Sequence, residues 1–75
     1  MRAPIILISD AVIEKLSVKH KIEPEDVYQG IRNATQWRKS KGRFVAESRV
    51  DSGRRIFVVV DRVETTWVVV TAWWT

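Results

Sequence analysis

Three features predict that this chain folds as α+β, with two N-terminal helices packed on one face of a three- to four-stranded antiparallel sheet. Up to residue 34, apolar side chains recur at the i, i+3, i+4 spacing of an amphipathic helix. Beyond residue 43 the period changes to two, in runs rich in Val, Thr, Phe and Trp. Ile56-Phe57-Val58-Val59-Val60 is apolar on both sides, as expected of a middle strand.

The 75 residues suffice for one domain, spanning 1–75. A chain of this size hides only about 60% of its unfolded surface, so marginal stability is expected. Cysteine is absent, which excludes disulfides and thiolate metal sites and favours a cytoplasmic home over secretion. No apolar run approaches the roughly 20 residues that span a bilayer. Residues 1–8 lack a signal-peptide pattern, so no membrane partner is expected.

Pro4-Ile5-Ile6-Leu7-Ile8 reads either as an edge strand, which Pro4 would suit, or as an extended lead-in stapled onto the first helix. Ser9 or Asp10 supplies the N-cap oxygen for a helix over about 10–20. Val12, Ile13 and Leu16 form its stripe, and Lys15, Lys19, His20 and Lys21 gather where the helix dipole favours cations. Ile22-Glu23 is a break. Pro24 suits the first position of a second helix, over about 24–34, since its missing N–H would be unpaired there anyway. Val27, Ile31 and Ala34 mark its buried stripe, with Tyr28 beside it. Gly30 within that helix costs about 1 kcal/mol against alanine, which a close approach to a neighbouring element would explain.

Residues 36–43 form a basic linker, followed by strands over about 44–50, 54–61 and 66–74. Asp51-Ser52-Gly53 makes a three-residue hairpin loop with glycine at the left-handed position. This loop sets Ser48 opposite Ile56, Ala46 opposite Val58 and Phe44 opposite Val60. A four-residue second turn, Arg62 to Thr65, would set Val60 beside Trp67 and Val58 beside Val69. Trp67, Val69, Thr71 and Trp73 would then lie under the helices.

The opposite face would carry Val45, Glu47, Arg49, Arg55, Phe57, Val59, Val68, Val70, Ala72 and Trp74. Two helices cover only one face, and contiguous exposed apolar side chains mark an interaction site. Phe57, Val59, Val68, Val70 and Trp74 are therefore the expected partner interface, for a homodimer or another protein. The N-terminal apolar segment is the alternative cover.

The net charge of +4 lies wholly in residues 35–75, with eight basic against four acidic side chains. A basic half fits a polyanion such as RNA. No histidine–carboxylate spacing suggests a metal, and the isolated Gly30, Gly42 and Gly53 form no phosphate-cradling loop. No cofactor is expected.

Certain words occur in order. Lys19-His20, a break, and Pro24-Glu25-Asp26-Val27 come first. A basic linker, the Gly53-Arg54 turn, Val58-Val59-Val60 and Thr71-Ala72 followed by an aromatic complete the series. Over about residues 9–74 this order resembles the small BrnT-like toxins of the RelE superfamily. The resemblance implies the toxin of a bacterial type II toxin–antitoxin pair, a metal-independent endoribonuclease. Such toxins often cut RNA on the ribosome and are held inactive by a cognate antitoxin. The basic positions matching that family's cleavage residues are Arg43, Arg49, Arg54 and Arg55. The sequence departs from the family where Trp73 replaces a common tyrosine and so offers no hydroxyl.

Arginine suits a developing phosphorane, because its planar fork meets phosphate oxygens and stays charged. Arg49 and Arg55 are expected cross-strand neighbours, an unfavourable pairing unless an anion or Glu47 sits between them. His20, the sole histidine, is the candidate general acid or base. Arg49, Arg55 and His20 are thus the expected catalytic set. Arg38, Lys39, Lys41, Arg43 and Arg54, with Trp37 as a base-stacking platform, are the expected RNA contacts. The rival reading is a non-catalytic module that dimerises or binds a regulator through the open sheet face.

Overall fold

The computed structural model describes residues 5–75; Pro4, expected to mark an edge, lies outside them. Along the chain come β1 (Ile5–Leu7), α1 (Asp10–Lys15), a π-helical segment (Leu16–His20), α2 (Pro24–Asn33), β2 (Arg38–Ser40), β3 (Arg43–Arg49), β4 (Arg55–Val63) and β5 (Thr66–Trp74). The sheet has five strands in the order β1-β5-β4-β3-β2. It is mixed, because β1 runs parallel to β5 while the other pairs are antiparallel. The apolar lead-in is thus the edge strand that one reading of the sequence offered, though it pairs in parallel, and the basic linker adds a short fifth strand that was not expected.

Ser9 caps α1, its hydroxyl accepting from the Val12 N–H at 3.2 Å. The helix then widens by a residue per turn at Leu16 and stops at Lys21, which takes a left-handed φ of 54° without being glycine. This wide turn brings Ile22 fully into the core, its N–H donating to the Leu16 carbonyl at 3.0 Å. The expected break at Ile22 is thus a buried anchor. Pro24 opens α2, and the Asp26 carboxylate accepts from the Glu23 N–H at 3.0 Å. Both helical units pack on the same face of the sheet, over Leu16, Ile22, Val27, Ile56, Val58, Val60, Val69 and Ala72. At Gly30 the approach is closest. A Cβ there would stand 2.9 Å from Ile56 Cγ2 and 3.3 Å from Val58 Cγ2.

The first hairpin has the expected register, Phe44↔Val60, Ala46↔Val58 and Ser48↔Ile56. Gly53 sits at φ +96°, and the Val50 N–H donates to the Arg54 carbonyl at 3.0 Å. The second hairpin differs. β4 continues through Val63, and the turn is two residues, with Glu64 in the left-handed region at φ 57°. Val60 therefore pairs with Val69 rather than Trp67. A bulge follows: Val59 pairs with Thr71 and Val60 with Val69, so Val70 is the extra residue. Past this bulge the side-chain alternation inverts. Ala72 is buried and Trp74 packs on the core, whereas Trp73 turns outward. Trp73 was the expected core residue and Trp74 the expected exposed anchor; their places are exchanged.

The face away from the helices carries no covering element among the described residues. β1 does not fold over it. Instead β1 extends the sheet, with Leu7 beside Val68 and Ile5 beside Thr66. Ile5, Leu7 and Val63 are 57%, 52% and 61% exposed, and Phe57 stacks on Trp73 with centroids 5.3 Å apart.

Candidate functional site

At the β3–β4 turn the chain builds a cleft of about 640 Å³ lined by Asn33, Thr35, Glu47, Arg49, Asp51 and Arg55, with Ser48, Val50 and Gly53. Its position follows from the sheet. β2 pairs only with Arg43 to Val45, so the rest of β3 has a free outer edge. The C-terminal end of α2 then meets that edge from the helix side.

The meeting is held by Asp51. Its carboxylate accepts from Arg32 at 2.7 Å and from the Asn33 amide at 3.0 Å. Its own N–H donates to Gln29 at 2.9 Å, and Asn33 also donates to the Arg49 carbonyl at 2.9 Å. The Arg32 hydrogen bond, with that of Asn33, holds the Asp51 carboxyl below the usual carboxylate range. Arg32 is correspondingly raised by the same bond. These groups position the turn.

Arg49 and Arg55 are cross-strand partners, as the register predicts. They do not face each other unmediated. Arg55 forms an ion pair with Glu47, and Arg49 donates to the Gly53 carbonyl at 3.2 Å. Arg49 has no carboxylate partner among the described residues. The cleft thus offers one free guanidinium, one paired guanidinium and one carboxylate, all substantially exposed. Ser48 lies behind them, 8% exposed, its hydroxyl without a partner among the described residues.

The other candidate residues are dispersed. Arg54 leaves the turn to lie over the Trp74 ring, 4.0 Å from its centroid. His20 ends the π-helical segment, which packs against β5, and it does not line the cleft. Arg38, Lys39, Lys41 and Arg43 sit on β2 and its turn into β3. Arg43 is six residues from Arg49 along β3, roughly 20 Å at the ordinary strand rise. Arg43 is paired with Asp61 at 3.3 Å. Trp37 meets Trp67 edge to face at 5.1 Å, is partly buried against the core and lines a groove with Tyr28 and Trp67. Of the expected partner interface, Phe57 and Val68 are half-buried on the open face, Val59 is buried there between its neighbours, Val70 is the half-buried bulge residue, and Trp74 is withdrawn.

Glu47, expected only as a counter-ion to the two arginines, is a lining residue of the cleft. Its signal was its place diagonal to Arg55 across the predicted hairpin. Among the described residues no group of three or more His, Asp or Glu side chains could hold a metal. No helix there is long and apolar enough to cross a membrane.

No family model and no curated protein matches the sequence. Among solved structures, the ribonuclease toxin BrnT of Brucella abortus superposes with a TM-score of 0.78, over 93% of this chain and 94% of that one, at 14% sequence identity. The toxin resemblance read from the order of short motifs is therefore met in three dimensions: this chain has the fold of BrnT.

Proposed function

We propose that this protein is the RNA-cleaving toxin of a toxin–antitoxin pair, and that it cuts RNA without a metal. The observation that carries the reading is the Arg49–Arg55 pair with Glu47, set in a cleft on the fold of a ribonuclease toxin. In this reading a phosphodiester enters the cleft between the two guanidiniums. Glu47 takes the proton of the 2′-hydroxyl, whose oxygen attacks phosphorus. Arg49 and Arg55 carry the charge that grows on the non-bridging oxygens, the contribution that preorganised donors make best. The P–O5′ bond breaks, the leaving oxygen takes a proton from water, and the products are a 2′,3′-cyclic phosphate and a 5′-hydroxyl. His20 stands outside this scheme unless the RNA extends to it. Arg54 and the basic residues of β2 hold the flanking strand.

Induced expression of the wild type beside Arg55→Ala tests the reading. Growth arrest with fragments ending in cyclic phosphate is expected from the wild type alone. Equal growth and no fragments from either chain would sink it.

The uncovered sheet face favours a second role that is compatible with the first. Phe57, Trp73, Val68, Leu7 and Ile5 form an apolar surface on which an antitoxin or a second copy of the chain would dock. Light scattering on wild type and Phe57→Lys separates these occupants. A dimer lost in the variant supports self-association, and a wild-type monomer leaves the face to another protein.

A further inference from the structure

Arg62 was expected in a loop, but it lies within β4, on the helix-covered side of the sheet, paired with Trp67. Its guanidinium carbon sits 3.9 Å from the Phe44 ring centroid, 4.3 Å from that of Trp67 and 5.6 Å from that of Trp37. It has no carboxylate partner among the described residues. An exposed arginine held by three aromatic rings, with its charge unneutralised, is an unusual use of a long flexible side chain. The rings fix the guanidinium plane and leave its charge to an anion from outside.

A groove of about 400 Å³ adjoins it, lined by Ile6, Tyr28, Ile31, Ala34, Trp37 and Trp67, with Arg32 at its margin. Lys39 projects on the same face, because it pairs with Phe44. Aromatic walls, a fixed guanidinium plane and the Lys39 cation match the chemistry of an unpaired nucleobase and its phosphate. Bases stack on aromatic rings and on arginine planes, and the backbone is held by positive charge. A groove of this size lies within the usual range for small-molecule sites, about 300–1,000 Å³.

We infer that the Arg62–Trp37–Trp67 cluster and its groove are a base-stacking site for single-stranded RNA. The site is separate from the cleavage cleft. Arg62 and Arg55 are seven residues apart along β4, roughly 23 Å at the strand rise. The inference rests on the RNA-binding part of the proposed function but not on cleavage. The site would grip the strand with little sequence preference, since every base offers a stacking face.

The test uses the intact protein and a 2′-O-methyl RNA 12-mer, which cannot be cut by the 2′-hydroxyl route. Binding is read by quenching of tryptophan fluorescence and by anisotropy of an end label. Saturable quenching is expected with the single strand and much less with its duplex. Arg62→Gln should weaken binding about tenfold and lower the salt slope, log K against log salt, by about 0.7. Arg62→Lys should restore the slope but not the affinity, since lysine keeps the charge and loses the stacking plane. Trp37→Leu should remove most of the quenching, with circular dichroism confirming the fold. Binding by Arg62→Gln and Trp37→Leu at wild-type affinity would overturn the inference, even for a chain that cleaves RNA. Weakened binding in both supports it, even for a chain that does not cleave. No binding by the wild type overturns it together with the RNA reading.

Discussion

Gly30→Ala should destabilise this protein, although alanine is the better helix former by about 1 kcal/mol. The new Cβ would stand 2.9 Å from Ile56 Cγ2 and 3.3 Å from Val58 Cγ2. Carbon atoms in good contact keep about 3.5–4.0 Å, so the helix or the strand must shift by more than half an ångström. Neither yields easily. Ile56 and Val58 are fully buried, stiff at χ1, and sit on a strand hydrogen-bonded on both sides. Overpacking of this kind costs about 1–3 kcal/mol, so a net loss of about 1 kcal/mol remains after the propensity gain. For a domain of this length that is about 4–8 °C in Tm. Thermal unfolding followed by circular dichroism measures it. In an Ile56→Leu background, which removes the nearest methyl, the same alanine should be neutral or stabilising. A Tm raised by Gly30→Ala in the otherwise unaltered chain would refute the packing argument.

Other perturbations follow the same logic. Asp51 titrates below the usual carboxylate range in the folded state, because Arg32 and Asn33 hold its charged form. Its contribution is therefore full above the unfolded pKa of about 3.9 and is lost as pH falls through the lower folded value. Asp51→Asn should be less stable than wild type at pH 7, and urea titrations of the two should converge in strong acid. Trp74→Ala should cost about 2–3 kcal/mol, less than a fully buried tryptophan. Trp73→Ala should cost about 1 kcal/mol, chiefly the stack on Phe57; equal losses in denaturant melts would contradict the bulged register. Glu47→Gln should abolish release of cyclic-phosphate ends while leaving binding of the 2′-O-methyl strand within about twofold, as expected of a base rather than a phosphate contact; unchanged cleavage would remove Glu47 from that role.

The helices and the first hairpin were legible because local rules decide them. Ser9 and Pro24 announce the helix starts, and Asp51-Ser52-Gly53 sets a register that one slipped residue would expose as wrong. Gly30 announced its own close contact by being costly where it stands. What the sequence left open depends on long-range partners. Ile5 to Leu7 is a strand only because the free edge of β5 takes it in parallel. Arg38 to Ser40 is a strand only because β3 lies within reach. Neither segment carries three residues whose pattern would identify it alone. The fully buried Ile22 was hidden for a related reason, since the wide turn before it has no sequence mark. The cation cluster divided on the same line. Arg49 and Arg55 could be joined through the hairpin, whereas Arg62 was hidden by assigning it to a loop.

The exchange of Trp73 and Trp74 has the largest consequence for function, and one residue causes it. Strict alternation from Val69 onward would send Trp73 into the core and leave Trp74 on the open face. The bulge at Val70 takes up one residue, so Ala72 and Trp74 close the core instead. Ala72 pairs with Val58 on the helix-covered side, where both are fully buried. Unbulged, the strand would point Thr71 and Trp73 at that layer in place of Ala72 and Trp74. With the bulge, Trp73 lies in one cross-strand row with Phe57 and Glu47. The apolar surface then ends at the pair to Arg55, so a protein seated on Phe57 and Trp73 would abut the cleft that holds Arg49 and Arg55.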